Sequence, residues 1–313
     1  MRILITGGCG YTGTLLTQEL IKKDHEVIIV DTQWFGNYFS KNKNKNLKIL
    51  KLDIRDDKKI PLKNIDIVVH LANIANDPGA DLNPKLSWEV NVLATNNLIK
   101  NSIKNKVKQF IYASSGSVYG IKREKEVTED LDLLPLSTYN KTKMIAERII
   151  KSYEDEIKFH CIRPATVCGF SPRMRLDVSV NMFVFQALKK KVMTVFGGEQ
   201  IRPNINIKDL INVYCHFIKN PDLPSGFYNA GFENLKIIDI AKKVSKIIPA
   251  KIKIKKNNDQ RSYRQNSSKL ILTGFKKKYS VNDAIFEIIK KYKNHEFSER
   301  DNCYTIKWMK KLK

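Results

Sequence analysis

A chain of 313 residues, 42% hydrophobic and 28% charged, has the composition of a globular protein with capacity for one large core or two packed ones. The formal net charge of +24 raises nucleic-acid binding, yet 45 of the 56 basic residues are Lys, scattered with short clusters at 189–191, 251–256 and 276–278. Phosphate and base readers gather Arg and aromatic residues on one element, and no such element is present, so nucleic acid is not an expected partner. A Lys bias spread over solvated faces is the simpler reading, and a positive field would also suit an anionic substrate. No window approaches 18 uninterrupted apolar residues, so neither a transmembrane helix nor a membrane partner is expected. Met1-Arg2 runs straight into a short apolar strand rather than a cleavable leader. Cys9, Cys161, Cys168, Cys215 and Cys303 are odd in number and lack a CxxC pair. That spacing disfavours disulfides and metal, and favours a reducing cytoplasm.

In chain order, an apolar run at 3–5 is followed by a glycine turn at 7–13 and helical spacing over 14–22. Strands are expected at 26–30, ending in Asp31, at 47–52, ending in Asp53, and at 65–70. A helix over 85–101 precedes a strand at 109–113, which leads into Ser114 and Ser115; a helix over 139–152 and a strand at 158–162 follow. Short apolar runs with polar C-terminal ends fit parallel strands buried on both faces, with ligands outside those ends. The expected fold class is α/β, a doubly wound parallel sheet with a smaller C-terminal α/β unit. The second half is less regular: a loop at 164–177, a helix over 178–190, a strand at 204–207, a helix over 209–219 and a half-exposed strand at 250–256. After 290 the chain is strongly basic, and its end is expected to be poorly ordered. The nucleotide-binding unit is placed at 1–163, with 203–219 returning to it; the smaller unit takes 164–202 and 220–313.

Gly7, Gly10 and Gly13 have the spacing G-x-x-G-x-x-G between a strand and a helix. The first permits a tight turn, the second lets backbone approach a pyrophosphate, and the third lets helix and strand pack closely. The helix beginning near Tyr11 and Thr12 would point its positive end at the phosphates. A glycine-rich stretch alone is weak, but Asp31 stands about 20 residues on, at the tip of the second strand, where it would accept bonds from the adenosine ribose and repel a 2′-phosphate. No Arg follows it closely, so NAD is expected over NADP. Cys9 is read as a small filler of the turn.

Tyr139 and Lys143 are four apart on one helical face. A neighbouring ammonium and the positive nicotinamide ring would both favour the phenolate, making Tyr139 a general base with Lys143 as its partner. The alternative is an exposed helical pair. Ser115, at the end of a strand facing the same cleft, argues against it, because its hydroxyl can share a substrate hydroxyl with Tyr139.

With these pieces the chain resembles the extended short-chain dehydrogenase/reductase family, in its nucleotide-sugar epimerase and dehydratase branch, with a Rossmann nucleotide domain. The resemblance runs through Thr6–Gly13, Asp31, Asp53-Ile54, His70-Leu71-Ala72, Asn91, Ser115 with Val118-Tyr119-Gly120, Tyr139 with Lys143, and Arg163-Pro164. It implies that Asp53 and Ile54 flank the adenine, and that Leu71, Ala72, Ala75 and Pro164 line the cofactor cleft beside a supporting Asn91. It also implies a nucleotide-sugar substrate held by Ser115, Ser117, Thr166, Asn181, Arg202 and Arg261, and a homodimer paired through the helices at 85–101 and 139–152. Arg forks suit phosphate oxygens better than Lys does, which matters in a chain that prefers Lys.

Dehydratases of this branch place an acidic pair where this chain has Gly116-Ser117. The resemblance therefore implies oxidation at a ring carbon, expected to be C4, with epimerisation or release of the keto sugar as outcomes. The segment 171–177 resembles branches serving bacterial surface-polysaccharide hexoses and heptoses. A 4-keto-sugar reductase and a non-catalytic dinucleotide sensor remain alternatives; a sensor would not need the Tyr–Lys pair.

Overall fold

The computed structural model describes residues 1–40, 42, 44–256 and 262–312. Its first half alternates strand and helix: β1 (Arg2–Thr6), α1 (Tyr11–Lys22), β2 (Glu26–Asp31), β3 (Leu47–Lys51), β4 (Ile67–His70), α2 (Asp77–Leu82), α3 (Pro84–Trp88), α4 (Ala94–Lys104), β5 (Gln109–Ala113), α5 (Thr138–Lys151) and β6 (Lys158–Pro164). The helix expected over 85–101 is one path from α3 to α4, joined by a π turn at Glu89–Leu93.

The second half supplies β7 (Thr166–Cys168), α6 (Ser179–Lys190), β8 (Val192–Phe196), β9 (Ile201–Asn206), α7 (Ile207–Lys219), β10 (Gly226–Ala230), β11 (Glu233–Lys236), α8 (Ile237–Ile247), β12 (Lys251–Lys255), α9 (Ser268–Leu272), α10 (Val281–Lys293) and α11 (Thr305–Met309). The seven-stranded sheet runs β10-β6-β5-β4-β1-β2-β3, all parallel. Strand order reverses between β1 and β4, and that switch opens a crevice at the carboxyl ends of the strands.

Successive side chains of β1 point to opposite faces and reach separate cores. Ile3 and Ile5 pack with Leu16 and Leu20 of α1 and Tyr214 and Phe217 of α7. Leu4 packs with Val68, Leu98, Ala146 and Ile150 on the face covered by α4 and α5. A third core joins α6, β8, α8 and α10 through Phe183, Val195, Val244 and Ile285. Two small sheets, β11-β9-β7 and β12-β8, complete the second unit.

Three expectations change. Gly226–Ala230, assigned by sequence to the smaller unit, extends the large sheet beside β6. The loop expected at 164–177 contains β7, which pairs with β9. The basic C-terminus is packed rather than loose: Trp308 donates from Nε1 to the Trp34 carbonyl at 2.5 Å, and Met309 joins the second core. Apolar residues in the last turn outweigh the Lys content around them.

Candidate active site

A cleft of about 640 Å³ lies at the carboxyl ends of the parallel strands, between the two units. Gly7, Gly10, Tyr11, Thr12 and Gly13 form its floor. Gly7 has φ +73°, and a Cβ there would lie 2.6 Å from the Ala72 nitrogen; one on Gly13 would lie 2.3 Å from the Gly7 oxygen. The turn therefore folds tightly against β4 only without side chains at these positions. Gly10 caps α1 without a side-chain hydrogen bond, and no acidic residue occupies the first turn. The uncapped N–H groups and the positive end of this 12-residue helix suit a dinucleotide diphosphate.

At the adenosine end, Asp31 accepts the Cys9 N–H at 2.9 Å and the Gln33 N–H at 2.6 Å. Burial raises its pKa, and those two donors pull it back. Burial with the Asp31 charge pushes the Cys9 thiol up to about 12, which makes it an inert filler. Asp53 and Ile54 line the rim. Burial works against the Asp53 carboxylate, but the Arg55 guanidinium holds it below its ordinary range, with Nη2 2.8 Å away. Leu71, Ala72 and Ala75 form the wall after β4. His70 behind them is buried; its Nδ1 lies 2.6 Å from Thr6 Oγ1 and its Nε2 2.8 Å from Thr95 Oγ1, and burial keeps it neutral.

Ser115, Ser117, Tyr139 and Lys143 meet at the other end. Ser137 caps α5 by accepting the Asn140 N–H at 3.2 Å, and donates to Asp77 at 2.5 Å. This cap fixes the start of the helix one turn before Lys143. The Ser115 hydroxyl lies 2.8 Å from that of Ser117, which donates to Asn140 at 2.6 Å. Burial pushes the Tyr139 phenol up to about 12, opposed by the neighbouring Ser115 hydroxyl, raised further by Asp77 and lowered by Arg175. Lys143 donates to the Ala113 carbonyl at 2.5 Å, and its Nζ is 5.7 Å from the Tyr139 ring centre. Burial draws it down to about 7, against the raising influence of Glu147. Lys143 alone therefore does not supply the phenolate-favouring charge expected from its spacing; a cationic ring in the cleft must add to it.

A lysine lowered from 10.5 to about 7 binds its proton more weakly folded than unfolded. Between those values the unfolded chain holds the extra proton, so stability rises with pH across that window. Lys143→Met should therefore lose turnover yet melt at a higher temperature than the parent. The gap should be widest below about pH 7 and should shrink toward pH 10.5. A gap that is constant over this range would contradict the buried ammonium.

Pro164, at the end of β6, and Thr166 and Arg202 of the second unit line the cleft, as the sequence led us to expect. Asn91 and Asn181 do not line it. Asn91 accepts the Ile74 N–H at 2.8 Å and donates to Thr142 at 3.0 Å, bracing the wall against α5 from behind. Asn181 accepts the Gly169 N–H at 2.9 Å and donates to the Tyr11 hydroxyl and the Arg175 carbonyl, so its amide is consumed in holding the loop. Arg261 lies outside the described residues. The sequence reading passed over Arg173, which is buried, and Arg175, which is partly buried; both line the cleft. Their signal was type: 11 Arg among 45 Lys, two of them adjacent but one. Among the described residues no cluster of His, Cys, Asp and Glu suits a metal ion.

The NAD dependent epimerase/dehydratase family model matches residues 3–231. A UDP-glucose 4-epimerase of Lactobacillus helveticus is 28% identical, over 94% of this chain and 98% of its own length. The uncharacterized UDP-glucose epimerase YtcB of Bacillus subtilis is 31% identical over 78% of this chain and 82% of its own. The crystal structure of a Bacillus cereus UDP-glucuronic acid 4-epimerase, with UDP-glucuronic acid and NAD, superposes with a TM-score of 0.82 at 28% identity, covering 94% and 99% of the two chains. With a glycine cradle, an acid at the tip of β2 and this match, the chain belongs to the NAD-dependent epimerase/dehydratase family, and its cofactor is NAD.

Proposed function

We propose that the protein removes hydride from C4 of a nucleoside-diphosphate sugar and returns it to the opposite face, as a 4-epimerase. The observation that carries this is the meeting of Tyr139, Ser115 and Lys143 in one cleft with the glycine cradle. When bound, NAD supplies a hydride acceptor with a positively charged ring. Tyr139 takes the proton of the sugar hydroxyl, which Ser115, at the same end of the cleft, would orient. Lys143 would position the cofactor ribose, and Tyr139 returns its proton to the sugar oxygen as the hydride comes back. Pro164 would border the cofactor, Thr166 and Ser117 the sugar, and Arg202 would take the sugar's diphosphate.

Gly116 and Ser117, in the short 3-10 turn after Ser115, offer no carboxylic acid for eliminating water. The relatives named as 4-epimerases favour the same outcome. We also expect pairing of two copies through the α3–α4 and α5 helices, where Trp88 and Leu93 are exposed.

The test is incubation of the NAD-loaded protein with UDP-, GDP-, dTDP- and CDP-hexoses and their uronic acids. A C4 epimer forming without net NADH supports the proposal. Stoichiometric NADH with release of a keto sugar would assign a 4-dehydrogenase instead, and no product from any sugar would reject both.

A further inference from the structure

Arg173 is 3% exposed and lines the cleft, yet its Nε and Nη1 have no hydrogen-bond partner. Buried guanidinium groups are normally matched by carboxylates, because an unpaired charge away from water is costly. Here the nearby acids are engaged. Asp177 is bound by Arg175 at 2.8 Å and by the Thr305 N–H at 2.9 Å, and Asp31 accepts two backbone donors. The neighbouring Arg175 adds like charge, and burial with that charge draws the Arg173 pKa down to about 10. The side chain is held in place all the same: its guanidinium lies 4.1 Å from the Phe35 ring centre, and Leu176 bonds to the Cys303 carbonyl at 2.9 Å. The C-terminal segment also ties down the aromatic side, since Asn302 donates to the Phe35 carbonyl at 2.9 Å.

Position indicates which anion would pair with Arg173. Arg173 acts electrostatically on Tyr11, the first residue of α1, and on Asp31 at the tip of β2. Its contact with Phe35, just after β2, and its place in the cleft lining beside the glycine turn put it at the adenosine end, whereas Arg202 belongs to the wall of the second unit contributed by β9. We propose that Arg173 is a cofactor ligand, a clamp that grips the NAD diphosphate from the second unit and is held over it by the C-terminal strap. The dinucleotide is then enclosed between the backbone donors of the glycine turn and a two-donor fork. This inference rests on the cofactor lying along the glycine turn, not on which sugar is the substrate.

The test is direct binding of NADH and, separately, of UDP to the full chain, with melting temperature measured without ligand. Arg173→Met should weaken NADH binding about 10- to 100-fold and speed its release, the loss expected for a charge-assisted pair. UDP affinity should stay within about threefold, below the loss of even one such bond. The melting temperature should hold or rise, because a buried charge without a partner has been removed. Arg173→Lys, which keeps charge without the fork, should fall between the two for NADH and guards against misfolding of the first variant. Unchanged NADH affinity in both variants would overturn the clamp. Loss of UDP affinity with NADH binding intact would also overturn it, by moving the anion to the substrate. Failure of the parent chain to bind NADH would reject the cofactor placement itself.

Discussion

Tyr139→Phe is expected to lower kcat by about 10²–10⁴-fold, the range contributed by a positioned acid or base, while NADH affinity and melting temperature stay close to the parent. The substitution removes one oxygen but keeps the ring in its place against the second core. With the phenol pushed to about 12, roughly one molecule in 10⁵ would carry phenolate at pH 7 without further help. Two consequences follow. Binding of oxidised cofactor should lower the phenol pKa, and reduced cofactor, which lacks the ring charge, should lower it less; spectroscopic titration of the two complexes measures this. The turnover loss should also be largest at high pH, where the parent is most ionised and Phe cannot respond. A Phe variant that turns over within tenfold of the parent would remove Tyr139 from the chemistry.

What made this site legible was local spacing. β1, the glycine turn, α1 and Asp31 occupy one continuous unit of about 30 residues, whose geometry requires little from the rest of the chain. Tyr139 and Lys143 needed only the helical repeat. The errors lie where long-range contacts decide. Asn181 has the residue type of a phosphate ligand, but the Tyr11 hydroxyl, 170 positions away, takes up its amide. Arg173 enters the cleft because Leu176 and Asp177 are pinned by Cys303 and Thr305, a relationship spanning 128 residues in the Asp177–Thr305 bond. β10 is a short run containing Gly226 and Asn229, unremarkable until it pairs with β6. α10 had a readable start, since Ser280 and Asp283 form a reciprocal cap, yet that spacing was overlooked in a Lys-rich stretch. The scarcity of Arg was the most transferable signal. Where this chain uses Arg163 and Arg173, it places a planar fork in a buried setting that the flexible, strongly hydrated Lys ammonium fills poorly.

Arg163 provides the largest stability prediction for the same reason. Its Nε and Nη2 meet the two Glu147 oxygens at 2.9 and 2.7 Å, and Nη1 donates to the Tyr119 hydroxyl at 2.7 Å. The two side chains are 3% and 1% exposed, so the pair has little water to fall back on. Tyr119 in turn donates to Asn229 at 2.8 Å, linking β6, α5, the turn after β5 and β10. Arg163→Leu leaves Glu147 charged and buried, and should cost about 3–5 kcal/mol in urea or thermal unfolding. Adding Glu147→Leu removes the orphaned charge, and apolar replacement of both partners should recover most of that loss. Turnover need not recover with it. Glu147 is one turn beyond Lys143 on α5, and the two-pronged bond fixes the rotation that aims Tyr139 and Lys143 into the cleft. The double variant should fold stably yet remain about 10- to 100-fold slower, as expected when reacting groups are misplaced by a fraction of an ångström to an ångström. A single variant within about 1 kcal/mol of the parent would mean that water or a neighbouring group satisfies Glu147. A double variant with full activity would show that packing alone sets the register of α5, and that the ion pair contributes stability without positioning.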